Sequence, residues 1–107
     1  MATIRIRESR RTGVDRCDFV VQVLDGSVVP GDFFACHDVA GPFEYRVIST
    51  EPHPLGALLH CFNWILSDGQ FVGDVVPTVE KSAREVARYD RHMRKAGIKS
   101  PSDGKSS

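Results

Sequence analysis

Asp25-Gly26-Ser27-Val28-Val29-Pro30-Gly31-Asp32-Phe33-Phe34 and Asp68-Gly69-Gln70-Phe71-Val72-Gly73-Asp74-Val75-Val76 are two versions of one pattern. Each reads Asp-Gly, a short apolar stretch, Gly-Asp and two apolar residues. Glycine supplies the positive φ of a sharp corner, and a following aspartate accepts backbone N–H bonds that hold the corner shut. Gly26, Gly31, Asp32, Gly69, Gly73 and Asp74 are therefore expected to shape the chain and to take no part in catalysis. Corners of this kind between short apolar runs point to a small all-β fold.

The residues around the two corners read the same way. Residues 3–7 alternate Ile4 and Ile6 with Thr3, Arg5 and Arg7, the period of a strand with one wet face. Residues 9–15 form a polar turn around Gly13. Residues 17–24 put Phe19, Val21 and Val23 on one face, and further strands are expected over 32–37 and 43–50. Pro52-His53-Pro54 predicts a break, because proline restricts itself and its predecessor. Residues 55–66 are apolar on both faces, which suits a central strand or bent hairpin, with a buried helix as the competing reading. Residues 71–76, ended by Pro77, complete the set. The expectation is an all-β small closed or partly open barrel of about six strands over residues 1–77.

From Thr78 the period becomes helical. Thr78 is placed to cap, Glu80 sits in the first turn, and Gly97 is placed to stop the helix, so 78–97 reads as an amphipathic α-helix. Val79, Ala83, Val86, Tyr89, Met93 and Ala96 share one arc, and Val79, Val86 and Met93 are expected to dock on the barrel or a partner. Lys81, Arg84, Arg88, Arg91 and Lys95 follow one-turn spacing on another arc, with Arg94 nearby. Pairs such as Glu80 with Arg84, Glu85 with Arg88 and Asp90 with Arg94 would make this an ordinary solvated face. Residues 98–107 are rich in Ser, Lys, Pro, Asp and Gly and are expected to be a disordered tail.

The 107 residues carry a net charge of zero that hides a sorting. Residues 1–16 hold five arginines against two acids, residues 17–77 hold only Arg46 against eight acids, and residues 78–107 hold eight basic against four acidic groups. Such asymmetry bears on partners and not on fold. The length suits one core, and no P-loop signature occurs, so nucleotide hydrolysis is not expected. Three cysteines without an apolar leader suggest a reducing, cytoplasmic setting, and no run is long enough to span a membrane.

Chemistry is sparsely signalled. Cys36-His37 and His60-Cys61 each split across two strand faces, and whether Cys36, His37, His60 and Cys61 converge on a metal is open, since no C-x-x-C or H-x-x-x-H spacing exists. A Cys17 or Cys61 nucleophile with His37 or His53 as base has no local motif behind it. No cofactor, metal or catalytic group is expected.

The run Val21-x-Val23-x-Asp25-Gly26-x-Val28-x-x-Gly31-Asp32, the strand Tyr45-Arg46-Val47-Ile48-Ser49 and the closing Gly73-Asp74-Val75-Val76 resemble the β-barrel domain that follows the GTPase domain in translation elongation and initiation factors. The likeness covers about residues 3–77. It implies a barrel that serves as a binding surface for tRNA, ribosomal RNA or a partner domain, with catalysis residing elsewhere. This chain departs from that pattern in its acidic barrel. With the charge sorting, the resemblance implies a non-catalytic binding module for RNA or a ribonucleoprotein. Its contacts would be Lys81, Arg84, Arg88, Arg91, Arg94 and Lys95 with Arg5, Arg7, Arg10 and Arg11. A protein-interaction adaptor or homodimer, in which basic tail meets acidic barrel, is the alternative, and a small enzyme or metal-binding protein using Cys and His is the third reading.

Overall fold

The computed structural model describes residues 1–39 and 41–97. Six antiparallel strands run β1 (Ala2–Arg11), β2 (Arg16–Gly26), β3 (Phe33–Asp38), β4 (Gly41–His53), β5 (Gly56–Phe62) and β6 (Val75–Pro77), followed by helix α1 (Ala83–Lys95). They form one sheet in the order β3-β4-β5-β2-β1-β6. The two outer strands approach each other, and the sheet curls into a nearly closed barrel. Phe33 and Val79 join the edges through two backbone bonds, Phe33 N–H to the Val79 carbonyl at 2.8 Å and Val79 N–H to the Phe33 carbonyl at 2.7 Å. The Gln70 amide donates to Asp38 across the same seam at 2.9 Å.

Alternation fills the interior. Ile4 and Ile6, Cys17, Phe19 and Val21, Phe34 and Cys36, Tyr45 and Val47, and Leu59 and Cys61 all point inward and are buried. Phe19 meets Phe34 and Tyr45 edge to face at 5.2 and 4.9 Å, the geometry that aromatic quadrupoles favour. Each buried Ile, Val, Leu or Phe among them contributes about 1.5–3 kcal/mol of apolar transfer. A bulge between Ile6 and Glu8 shifts the alternation, so Ser9 turns inward and donates to the Gln70 carbonyl at 2.7 Å.

The duplicated pattern builds the same corner twice. Asp32 N–H bonds to the Val29 carbonyl and Asp74 N–H to the Phe71 carbonyl, each at 3.1 Å, around Gly31 (φ 98°) and Gly73 (φ 97°). Gly31 N–H then bonds to Val47 O and Val47 N–H to Asp32 O, while Gly73 N–H bonds to Ile6 O and Ile6 N–H to Asp74 O, all at 2.8 or 2.9 Å. The first corner is also held by the buried Asp32 carboxylate, which accepts the Val29 N–H at 3.1 Å. Gly26 and Gly69 are likewise left-handed, at φ 71° and 87°. The corners lead into β3 and β6, the two strands that meet at the seam.

Several expectations are corrected. The last strand is Val75–Pro77, because the chain turns between Gly69 and Gly73 and Phe71 reaches the core from that turn with φ 69°. Pro52 and His53 continue β4, pairing with Ala57 and Gly56. Since β3 pairs only with residues 41–46, β4 beyond Val47 keeps a free side on which a proline costs no ladder bond. Residues 55–66 resolve into the central strand β5 and an irregular stretch after Phe62. The helix is capped by Ser82, not Thr78: Glu85 N–H donates to Ser82 Oγ at 3.3 Å and Ser82 N–H to Glu85 Oε1 at 3.1 Å, a reciprocal capping box. Thr78 is instead 1% exposed and fastens Ala2, whose N–H donates to Thr78 Oγ1 at 2.8 Å. Gly97 (φ 82°) follows the helix end as expected, and the tail at 98–107 lies outside the described residues.

A Cβ at Gly56 (φ 146°) would fall on the backbone of Val21 and Gln22, whereas one at Gly31 meets nothing. Gly31→Ala is expected to cost about 1–3 kcal/mol from strained φ alone. Gly56→Ala is expected to cost about 3 kcal/mol or more, because steric overlap adds to the strain. Urea unfolding of both variants checks the order.

Candidate functional site

The helix lies against a row of side chains on the outside of the barrel. Phe33, Arg46, Phe62 and Arg16 are successive register partners across β3, β4, β5 and β2, so they stand side by side. Arg16 covers Phe62 at 4.9 Å and Arg46 covers Phe33 at 5.8 Å, each a cation over a ring face. Tyr89 meets Phe33 at 4.9 Å and Phe62 at 6.1 Å, both edge to face, and Met93 and Val86 complete this second apolar cluster. Val79 does not dock with Val86 and Met93. Val79 lies before the helix, in the seam, and is 38% exposed.

Two ion pairs fix the helix on this floor. Asp90 reaches Arg46 at 3.8 Å, and Lys81 reaches Glu44 at 2.9 Å while lying 5.1 Å over Phe33. Basic tail thus meets acidic barrel within one chain at Lys81, and at Asp90 the signs are reversed. A buried pair roughly breaks even against an apolar one, so the Arg46–Asp90 contact sets position more than stability. Lys81 is therefore a docking residue and is withdrawn from the outward-facing cations.

Arg84, Arg88, Arg91, Arg94 and Lys95 are all exposed. Glu80 with Arg84 and Glu85 with Arg88 do not close into ion pairs, and Asp90 turns inward to Arg46. Arg84, Arg88, Arg91 and Lys95 recur at one-turn spacing and form a stripe about 16 Å long. The other four expected cations, Arg5, Arg7, Arg10 and Arg11, are exposed on β1, with Arg5 donating to Gln22 at 3.4 Å. Strand β1 lies between β2 and β6 and supplies no residue to the floor under the helix, so, Lys81 apart, the expected cations fall into two sets.

Beside the stripe the helix leaves a groove of about 430 Å³, lined by Phe43, Asn63, Trp64, Tyr89, His92, Met93 and Ala96 among others. A smaller recess of about 270 Å³ adjoins it and shares Glu44, Tyr89 and His92, with Arg88 and Glu85 on its rim. Trp64 is half-buried on the groove wall, edge-on to Phe43 at 6.1 Å. It is presented by Asn63, a buried residue in the left-handed region at φ 101°. Asn63 is tied down by its N–H to Asp15 O at 3.0 Å, its side-chain amide to Glu44 O at 3.0 Å, and its Oδ1 accepting Trp64 N–H at 2.9 Å. Tyr45 donates its hydroxyl to the Trp64 carbonyl at 3.0 Å, and Tyr89 donates to Glu44 O at 3.1 Å. The expected site contains none of these groove residues. Their signal was the only tryptophan in the chain, standing in a run read as core.

The Cys and His pairs divide across the wall of the barrel. Cys17, Cys36 and Cys61 lie in the core as free thiols, whereas His37 is exposed and His60 faces outward. Among the described residues no group of three or more His, Cys, Asp or Glu side chains is arranged to hold a metal ion. Burial pushes the Cys36 thiol up to about 12 and raises Cys17 and Cys61 further above the thiol range. Thiolate nucleophiles are therefore strongly disfavoured. Outside, His60 bridges Asp18, at 2.8 Å from Nδ1, and Glu51, at Nε2, so one imidazole links β2, β5 and β4. The bond to Glu51 is the largest influence and raises the His60 pKa; partial burial opposes it, and the bond to Asp18 and the charges of both acids add to the rise.

All three thiols are expected to resist a thiol reagent in the folded chain and to react together on unfolding; a fast-reacting thiol in native conditions would contradict the assigned burial. Because the folded state raises the His60 pKa, its stabilising contribution is complete below the ordinary value of 6.5 and is lost as pH rises through the folded value. The urea midpoint is expected to fall over that window, and His60→Gln is expected to remove this part of the fall. Among the described residues no helix is long and apolar enough to cross a membrane. Comparison with protein families, with curated proteins and with solved structures finds no match for this chain.

Proposed function

We propose that the chain is a non-catalytic binding module that takes the phosphate backbone of RNA on the outward face of α1. The observation that carries this reading is the division of labour on the helix. Val86, Tyr89, Asp90 and Met93 are committed to the barrel, and Arg84, Arg88, Arg91 and Lys95 are left exposed in one line. Cations held in line on a docked helix lose little freedom when phosphates arrive, and each phosphate neutralised releases condensed counterions. The acidic barrel behind the stripe would orient the approach of a polyanion toward the helix. The likeness to the translation-factor barrel supports RNA or a ribonucleoprotein as the partner class. Three free core thiols suit a reducing compartment such as the cytoplasm. The buried thiols and the divided Cys and His residues favour binding over catalysis.

Fluorescence anisotropy with a mixed cellular RNA pool across salt tests the reading. The intact chain is expected to bind with log K falling linearly against log salt, with a slope of about −2 to −3 if three or four phosphates are met. Arg84→Glu with Arg91→Glu and Lys95→Glu is expected to abolish binding, while Arg5→Glu with Arg7→Glu leaves most of it. Absence of binding at low salt, or equal binding by the helix variant, overturns the proposal.

A further inference from the structure

We infer that an unpaired nucleobase of the RNA carried on the basic stripe enters the neighbouring groove and stacks on the Trp64 indole, so that the chain prefers single strands to duplex. This inference rests on the phosphate-binding reading of α1. Three observations support it. The groove opens along the edge of the stripe: Arg88 borders the recess that shares Glu44, Tyr89 and His92 with it, and His92 follows Arg88 by one turn. A backbone held on the stripe therefore has the groove within reach of its bases.

The second observation is the wall itself. Phe43, Trp64, Tyr89 and Met93 supply aromatic and polarisable surface with His92 at the rim, the composition that accepts a flat, partly polar ring. The volume of about 430 Å³ falls within the range of small-ligand sites. Of the nearby acids, Glu44 is paired with Lys81, and Glu85 lies beside the positive charges of Lys81 and Arg88, which offset its own.

The third is presentation. Asn63 holds a backbone conformation that costs a non-glycine residue energy, and its hydrogen bonds, with that of Tyr45, spend that strain on fixing Trp64 at the groove. Stacking on a fixed ring is sequence-tolerant, because every base has a π face, but it requires that the base be unpaired.

As the only tryptophan, Trp64 reports on its own site. The intact chain is titrated with a short oligoadenylate and with the same strand annealed to oligouridylate, following tryptophan emission and the anisotropy of labelled RNA. The single strand is expected to quench emission saturably and to bind roughly five- to a hundredfold tighter than the duplex. Trp64→Ala is expected to lose that preference and to keep the salt slope, and Trp64→Phe to retain most of it. RNA binding with unchanged emission, or equal single-strand affinity in Trp64→Ala, overturns the stacking inference and leaves the phosphate reading standing. Failure of both strands to bind overturns both. Emission of the unsubstituted chain decides the matter if Trp64→Ala does not fold.

Discussion

The two backbone hydrogen bonds between Phe33 and Val79 are the constraint on which the remaining structure depends. Without them β3 and β6 are open edges, with unpaired donors and acceptors that invite association. Closing the seam also fixes the direction of the Phe33 ring, which points out of the barrel because Phe34 points in. That outward ring is the floor on which Tyr89, Arg46 and Lys81 converge. One residue therefore closes the barrel with its backbone and seats the helix with its side chain.

The electrostatics of the docking follow from the same place. Arg46, the one basic residue among positions 17–77, lies under the helix and takes Asp90 from it. The helix thus gives up an acid to the barrel and keeps Arg84, Arg88 and Arg91 exposed, so docking leaves its outer face more cationic than its sequence alone suggests. The Asp90 side chain that i, i+4 spacing assigns to Arg94 is used to hold position instead.

Much of the fold was legible because it is local. The Asp-Gly and Gly-Asp corners announce positive φ, and Ile4, Ile6, Phe19 and Val21 announce an inward face by alternation alone. The helix was legible from its period, but its start was misplaced because Thr78 and Ser82 are both capping residues. The choice between them depends on the non-local bonds from Thr78 to Ala2 and on Glu85 three residues after Ser82. Pro52 departs from expectation for a similar reason: its cost depends on whether a neighbouring strand needs a donor at that position, and that is a property of the sheet. The basic stripe was readable from spacing. The groove was not, since Phe43, Trp64 and His92 come from three separate stretches and meet only through long-range bonds such as Asn63 to Glu44.

The fastening of Ala2 by Thr78 has a consequence for biosynthesis. The first strand pairs early with β2, but its other side is completed only by residues 75–77, and the seam only by Val79. A growing chain, at about 5–20 residues per second, carries β1 half-paired for several seconds between the completion of β2 and the arrival of the last strand. The arginines at positions 5 and 7 stand on that waiting edge, where like charges repel a second nascent copy.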